Sequence, residues 1–183
     1  MLVRAIYRIL PGPVLKLTLL ATSDELTLCN FAQHSYFNLD GSDTVADHQL
    51  SSPATSYLPV DGDLIPLGPP APVRGSPLDF RRPTRLGDRL TGPAIDHNLC
   101  LAPERSQLPR RAALLQAGDL QLLLRSTEPG LQVYTANHFS PGAPGLAGRP
   151  DGRHAGIALE SQLWPDAPNH PDYPSARLLP ATL

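Results

Sequence analysis

Along much of the chain, apolar residues recur at every second position. Leu15, Leu17 and Leu19 share one side of an extended segment, with Lys16, Thr18 and Leu20 on the other. The same alternation groups Leu120, Leu122 and Leu124 within residues 119–126, and Leu131 with Val133 within residues 131–137. Successive side chains of a strand point to opposite faces, so a period of two marks half-buried β-strands rather than helices. Further strands are predicted at Leu2–Leu10, 27–30, 95–102 and Ile157–Gln162. Residues 104–116 read as two short strands broken by Pro109, with a weaker helical alternative.

The connections support the same class. The 22 prolines and 14 glycines are spread along the chain. At that density proline breaks long helices and separates short strands. Residues 59–90 are turn-rich, and residues 140–152 are nearly all Pro, Gly and small residues, as expected of a mobile loop on the rim. No internal repeat and no shift in composition divides the chain. The expectation is one all-β domain over residues 1–183, an antiparallel β-sandwich of two packed sheets.

Composition narrows the function. A net charge of −2 offers no basic surface, so neither nucleic acid nor an anionic membrane is an expected partner. The longest apolar run, Val14 to Ala21, is interrupted by Lys16 and is too short to span a bilayer. With no leader after Met1, a cytoplasmic location is expected. Cys29 and Cys100 lack metal-ligand spacing; two free, half-buried thiols are expected, with a disulfide between them as the alternative. No phosphate-binding loop, metal cluster or nucleophile elbow is present in the sequence, so neither a metal nor a cofactor is expected.

Parity then sorts the polar residues. Extended over residues 30–39, one face carries Asn30, Ala32, His34, Tyr36 and Asn38, and the other Phe31, Gln33, Ser35, Phe37 and Leu39. Within 95–102, Asp96, Asn98 and Cys100 oppose Ile95, His97, Leu99 and Leu101. Within Ile157–Gln162, Glu160 lies opposite Ile157 and Leu159. His34, Asp96 and Glu160 are therefore all predicted on the face away from the core. A histidine and a carboxylate suffice to move protons on and off oxygen without a metal. His97, on the apolar face, is expected to be a buried structural residue.

Several stretches resemble one known family. Asn-x-x-x-His-Ser-Tyr-Phe-Asn-Leu-Asp-Gly over residues 30–41 is similar to the histidine motif of the aldose 1-epimerase (galactose mutarotase) family. The tract at 57–68 ending Ile-Pro-Leu-Gly, Leu-Asp-Phe-Arg at 78–81, Ile-Asp-His-Asn-Leu-Cys-Leu at 95–101 and Leu-Gln-Val-Tyr-Thr-Ala-Asn at 131–137 resemble further family signatures in the same order. Ala158, Leu159 and Glu160, followed by Gln162 and the Pro-Asp-Ala-Pro of 165–168, resemble the glutamate motif. The resemblance implies a large antiparallel sandwich with a sugar on one concave sheet. It implies exchange of the α and β anomers of hexoses such as galactose and glucose. In it Glu160 is the base at the anomeric hydroxyl, His34 the acid at the ring oxygen, and Asp96 a ligand of sugar hydroxyls. Tyr36 and Asn38, which share His34's parity, join Asp96 as candidate substrate-binding residues.

The resemblance covers the middle and later part of the family pattern. The family's front part, with a second histidine and an arginine, has no counterpart among His48, His97, His138, His154 or His170. A fragment with poor activity alone is therefore expected, and a sugar-binding or regulatory fragment is the alternative. A glycoside hydrolase using Asp96 and Glu160 would leave His34 without a role. Recognition of phosphorylated sugars would require Arg74, Arg81, Arg82, Arg149 or Arg153 near the pocket. Trp164, beside Pro165, fits a packed loop anchor better than a sugar-stacking platform.

Overall fold

The computed structural model describes residues 1–140, 142, 145, 148 and 150–180. The chain opens with a long hairpin, β1 (Leu2–Leu10) and β2 (Val14–Thr22), paired over nine residues a side. Its turn contains Pro11, Gly12 and Pro13, and Gly12 sits at φ 78°, where a residue without Cβ avoids strain. A second small sheet joins β3 (Thr27–Leu28) to β14 (Arg177–Leu178), the last strand.

Two larger antiparallel sheets hold the core. Six strands make the first: β4 (Tyr36–Phe37), β13 (Ile157–Gln162), β12 (Gly130–Tyr134), β9 (Asp96–Cys100), β6 (Ser56–Tyr57) and β7 (Ala71–Pro72), side by side in that order. Four make the second: β11 (Leu120–Ser126), β10 (Arg110–Ala117), β5 (Gln49–Ser51) and β8 (Thr84–Arg85). Leu99, Leu131, Val133, Ile157 and Leu159 of the first sheet pack with Leu50, Ala113 and Leu115 of the second in one buried cluster. Burying a Leu or Ile of this kind stabilises by about 1.5–3 kcal/mol, and the shared cluster makes the two sheets a sandwich. A smaller cluster of Leu58, Cys100, Leu163, Trp164, Tyr173 and Ala176 covers one end of the outer face of the six-stranded sheet. Trp164 is an anchor there, its indole N–H donating to Pro129 O at 3.1 Å while its ring meets Tyr173 edge-on.

The fold matches the predicted class, and Ile157–Gln162 and Leu2–Leu10 match to the residue. Three local expectations change. Residues 104–116 contain one strand starting directly after Pro109, where the proline needs no ladder donor, and no helix forms there. The strand predicted at 131–137 stops at Tyr134 because Ala136 takes φ 50°. The largest difference lies in residues 30–39, of which only Tyr36 and Phe37 are strand. Upstream, side-chain amides replace the ladder. Asn30 Nδ2 donates to Leu163 O at 3.2 Å, Leu163 N donates to Asn30 Oδ1 at 2.9 Å, and Ser35 N donates to Gln33 Oε1 at 3.3 Å. Cys29 and Cys100 are free thiols. The rim loop expected at 140–152 falls on a stretch where residues 141, 143, 144, 146, 147 and 149 lie outside the described residues.

Candidate active site

Register decides which polar side chains of the six-stranded sheet share a face. Tyr36, Ala158, Tyr134 and Asp96 form one cross-strand row. Glu160, Gln132 and Asn98 form the next, and Gln162, Gly130 and Cys100 the third. Because facing residues in a ladder point the same way, these rows make one polar face, with Phe37, Ile157, Leu159, Leu131, Val133 and Leu99 pointing the other way into the core. His34 reaches this face from the irregular segment just before β4.

The structure brings His34 and Glu160 together, with Nε2 3.4 Å from Oε1. Glu160 is buried, its side chain only 10% exposed, whereas that of His34 is 52% exposed. Burial pushes the Glu160 carboxyl above its ordinary range; the His34 imidazole pulls it back, and the Asp96 carboxylate raises it further. A carboxylate so placed is a stronger base than one in water. Asp96, one row away, accepts a hydrogen bond from Gln132 Nε2 at 2.7 Å. Gln132 Oε1 and Asn98 Oδ1 are buried acceptors without a protein partner, a condition rare enough in native interiors to call for an explanation. Here they lie in the same row as Glu160.

Aromatic rings form one wall. Tyr36 lies 5.0 Å from His34 and 6.2 Å from Tyr134 between ring centres, and Phe139 packs on Tyr36 at 4.7 Å. Burial, and then the neighbouring Tyr134, Glu160 and Asp96, raise the Tyr36 phenol above its ordinary value, so it remains a protonated donor. Tyr134 is tied to the next turn by its hydroxyl, which accepts from His138 N at 3.1 Å. Asn38 stands apart from this cluster. Its Nδ2 donates to Ser42 O at 2.7 Å and Ala155 O at 3.0 Å, and its Oδ1 accepts from Gly41 N at 3.1 Å. The amide clasps the loop that follows β4.

His97 lies on the core-facing side, edge-on to Tyr57, and burial lowers its pKa. Of the arginines weighed for phosphate recognition, Arg81 is held by Asp79 at 2.6 Å, and Arg149 lies outside the described residues. Shallow clefts lined by Asp47, Gln49 and Gln116, and by Ser52, Arg81 and Arg111, belong to the four-stranded sheet and not to this face. Sequence reasoning missed Gln132 and Tyr134. Their parity was visible opposite Leu131 and Val133, but only the register puts them between Asp96 and Glu160.

An antiparallel sandwich with a carboxylate–imidazole pair on one polar sheet face is thus the class of protein defined. The aldose 1-epimerase profile matches residues 1–181, and the chain belongs to that family. It is 38% identical to galactose mutarotase of Mus musculus over 176 residues, covering 93% of this chain and 52% of that protein. Identity is also 38% to aldose 1-epimerase of Haemophilus influenzae over 160 residues, covering 82% and 46%. The crystal structure of galactose 1-epimerase from Lactobacillus acidophilus superimposes with a TM-score of 0.79 at 30% identity, covering 97% of this chain and 52% of that one. The chain therefore spans about half the length of the curated relatives it matches.

Proposed function

We propose that this chain carries the acid/base pair of an aldose 1-epimerase and exchanges the α and β anomers of a hexose such as galactose or glucose. The single observation that carries this reading is the 3.4 Å approach of His34 Nε2 to Glu160 Oε1 on a polar sheet face. Glu160, with its raised pKa, takes the proton from the anomeric hydroxyl. His34 gives a proton to the ring oxygen, the C1–O5 bond breaks, and the free aldehyde forms. Rotation about C1–C2 exposes the other carbonyl face, and closure runs both proton transfers in reverse. Asp96, held by Gln132, accepts from sugar hydroxyls, a role that suits a carboxylate in a site for a polyol. Tyr36 closes one side and can donate through its phenol.

The test is polarimetry on freshly dissolved α-galactose and α-glucose, read against the spontaneous rate. General acid and base catalysis each contribute about 10²–10⁴-fold, so Glu160→Gln and His34→Asn should each lower the rate by about that factor while far-UV dichroism is unchanged. Near-normal turnover in either variant would refute the assignment.

A second reading is a sugar-binding fragment with impaired turnover. It is favoured by the half-length match and by a proposed acid that is half exposed, where water competes for its proton. Calorimetric binding of galactose by the 183-residue chain without any acceleration of anomer exchange would select it.

A further inference from the structure

The outer face of the four-stranded sheet carries a cationic feature that the acid/base pair does not use. The ladder between β10 and β11 slips between Arg111 and Ala113, leaving Ala112 without a facing residue. Ala113 and Leu115 point into the core, and strict alternation would send Arg111 the same way. The bulge reverses that parity and turns the exposed Arg111 side chain outward, a re-aiming that such an extra residue performs. There Arg111 faces Arg125 across the ladder, and like charges directly opposite are destabilising. Among the described residues neither reaches a carboxylate: Arg111 donates to Ser51 Oγ at 2.9 Å and Arg125 to Pro109 O at 3.2 Å.

Ser51, Ser52, Pro53, Arg81 and Arg111 line a cleft of about 160 Å³ on this face. Both serines are buried. Ser52 is committed, its hydroxyl donating to Ala112 O at 2.8 Å. Ser51 only accepts, so its hydroxyl proton is uncommitted among the described residues. Arg81 donates through Nε and one terminal nitrogen to Asp79, at 2.8 and 2.6 Å, which fixes its plane and leaves the other terminal nitrogen open. Arg74 also pulls on the Asp79 carboxyl, so this single carboxylate answers more than one guanidinium. Size then selects the ligand. Pockets for organic ligands hold about 300–1,000 Å³, so this cleft is too small for a hexose but admits one tetrahedral oxyanion. Guanidinium forks match phosphate oxygens in pairs.

We propose that Arg111, Arg81 and Ser51 form a binding site for a phosphate group, free or carried as a monoester whose organic part projects into solvent. The proposal is independent of the mutarotase chemistry, because the shared core separates this face from the one that carries Glu160. To test it, inorganic phosphate and methyl phosphate are titrated separately into the 183-residue chain by calorimetry.

Saturable one-to-one binding is expected. Arg111→Gln should weaken it by about tenfold or more, and Ser51→Ala by about fivefold. Arg177→Gln, at an exposed arginine of β14, should leave it unchanged. Far-UV dichroism checks that each variant folds, and the exposed position of Arg111 keeps its replacement out of the core. Tighter binding of inorganic phosphate identifies the free ion as the ligand, and equal or tighter binding of methyl phosphate identifies a monoester; either supports the site. Absence of saturable binding by both probes would overturn the proposal, as would an affinity indifferent to Arg111→Gln. So would displacement of the probe by galactose, since the anion would then occupy the face that carries Glu160.

Discussion

His48 gives a direct test of how this fold holds the segment that carries His34. The side chain is fully buried, and its Nε2 accepts a hydrogen bond from Leu39 N at 2.8 Å. An imidazole that accepts through Nε2 must be neutral. Burial lowers its pKa, outweighing the opposite pull of Asp40 and Asp47. Unfolded, the same histidine titrates near about 6.5, so below that pH the unfolded chain binds more protons. The stabilisation is therefore complete above about pH 6.5 and is lost as pH falls toward the folded value, with a limiting slope of about 1.4 kcal/mol per pH unit for one proton. His97, also lowered by burial, adds a slope of the same sign. Glu160 acts oppositely: its raised pKa gives stability that is present below the ordinary carboxylate value and fades as pH rises through the folded one. Comparing variants cancels both. His48→Gln places an uncharged acceptor near the position of Nε2 and should flatten the fall in stability as pH drops below about 6.5. His48→Leu also leaves the Leu39 N–H without an acceptor, at a cost of about 1–3 kcal/mol. At about 2–4 °C per kcal/mol for a chain of this size, Tm at pH 8 should fall by several degrees. Thermal unfolding from about pH 5 to 8 reads both effects. Superimposable stability–pH slopes for the unaltered chain and His48→Gln would show that His48 is not a buried neutral acceptor.

Three further outcomes follow from named contacts. A Cβ at Gly130 would collide with Asn98 Oδ1 and stand 3.0 Å from Gln162 O and 3.1 Å from Trp164 Cδ1; Gly130→Ala should cost about 1–3 kcal/mol in denaturant unfolding, and an unchanged midpoint would contradict the packing. Burial pushes the Cys100 thiol up to about 12, so iodoacetamide at about pH 8 should label the half-buried Cys29 first; equal rates in the native protein would contradict this. Asp96 raises the Glu160 carboxyl by like charge, so Asp96→Asn should move the acid limb of kcat/KM for anomer exchange to lower pH, and a limb that stays in place would deny that the two carboxylates share a site.

How much of this was legible depended on what fixed each residue. Where a ladder holds both neighbours, period-two reasoning worked. Leu2–Leu10 and Ile157–Gln162 were read to the residue, and Glu160 falls on the face its parity assigned. In residues 30–39 exposure still alternates, with Ala32, His34 and Tyr36 more exposed than Phe31, Gln33 and Phe37, although most of the segment is not strand. The pattern recorded which side faces the core but not what replaces the ladder. Gln132 was out of reach for another reason: parity says which face, whereas adjacency to Asp96 and Glu160 is a property of register between segments far apart in sequence. His48 carried no periodic signal, because it closes the short 3-10 turn Val45–Asp47 and its partner Leu39 N lies outside any strand ladder.

The two segments that hold His34 and Glu160 are joined by more than the pair itself. β13 sits between β12 and β4, so Glu160 is placed by a ladder and shares a row with Gln132 and Asn98. His34 has no ladder of its own, and the chain around it is instead clasped to the flanks of β13. Asn30 exchanges two hydrogen bonds with the backbone of Leu163, just beyond the strand, and Asn38 donates to Ala155 O, just before it. Between the clasps, Tyr36 and Phe37 pair with Ala158 and Ile157. The backbone segment carrying the imidazole is thus registered against the strand carrying the carboxylate at both ends and in the middle. This gives Asn38 a physical role that its parity did not suggest, and it explains why an exposed side chain can meet a buried one at 3.4 Å. Loosening either amide clasp should therefore displace His34 while leaving Glu160 in its row.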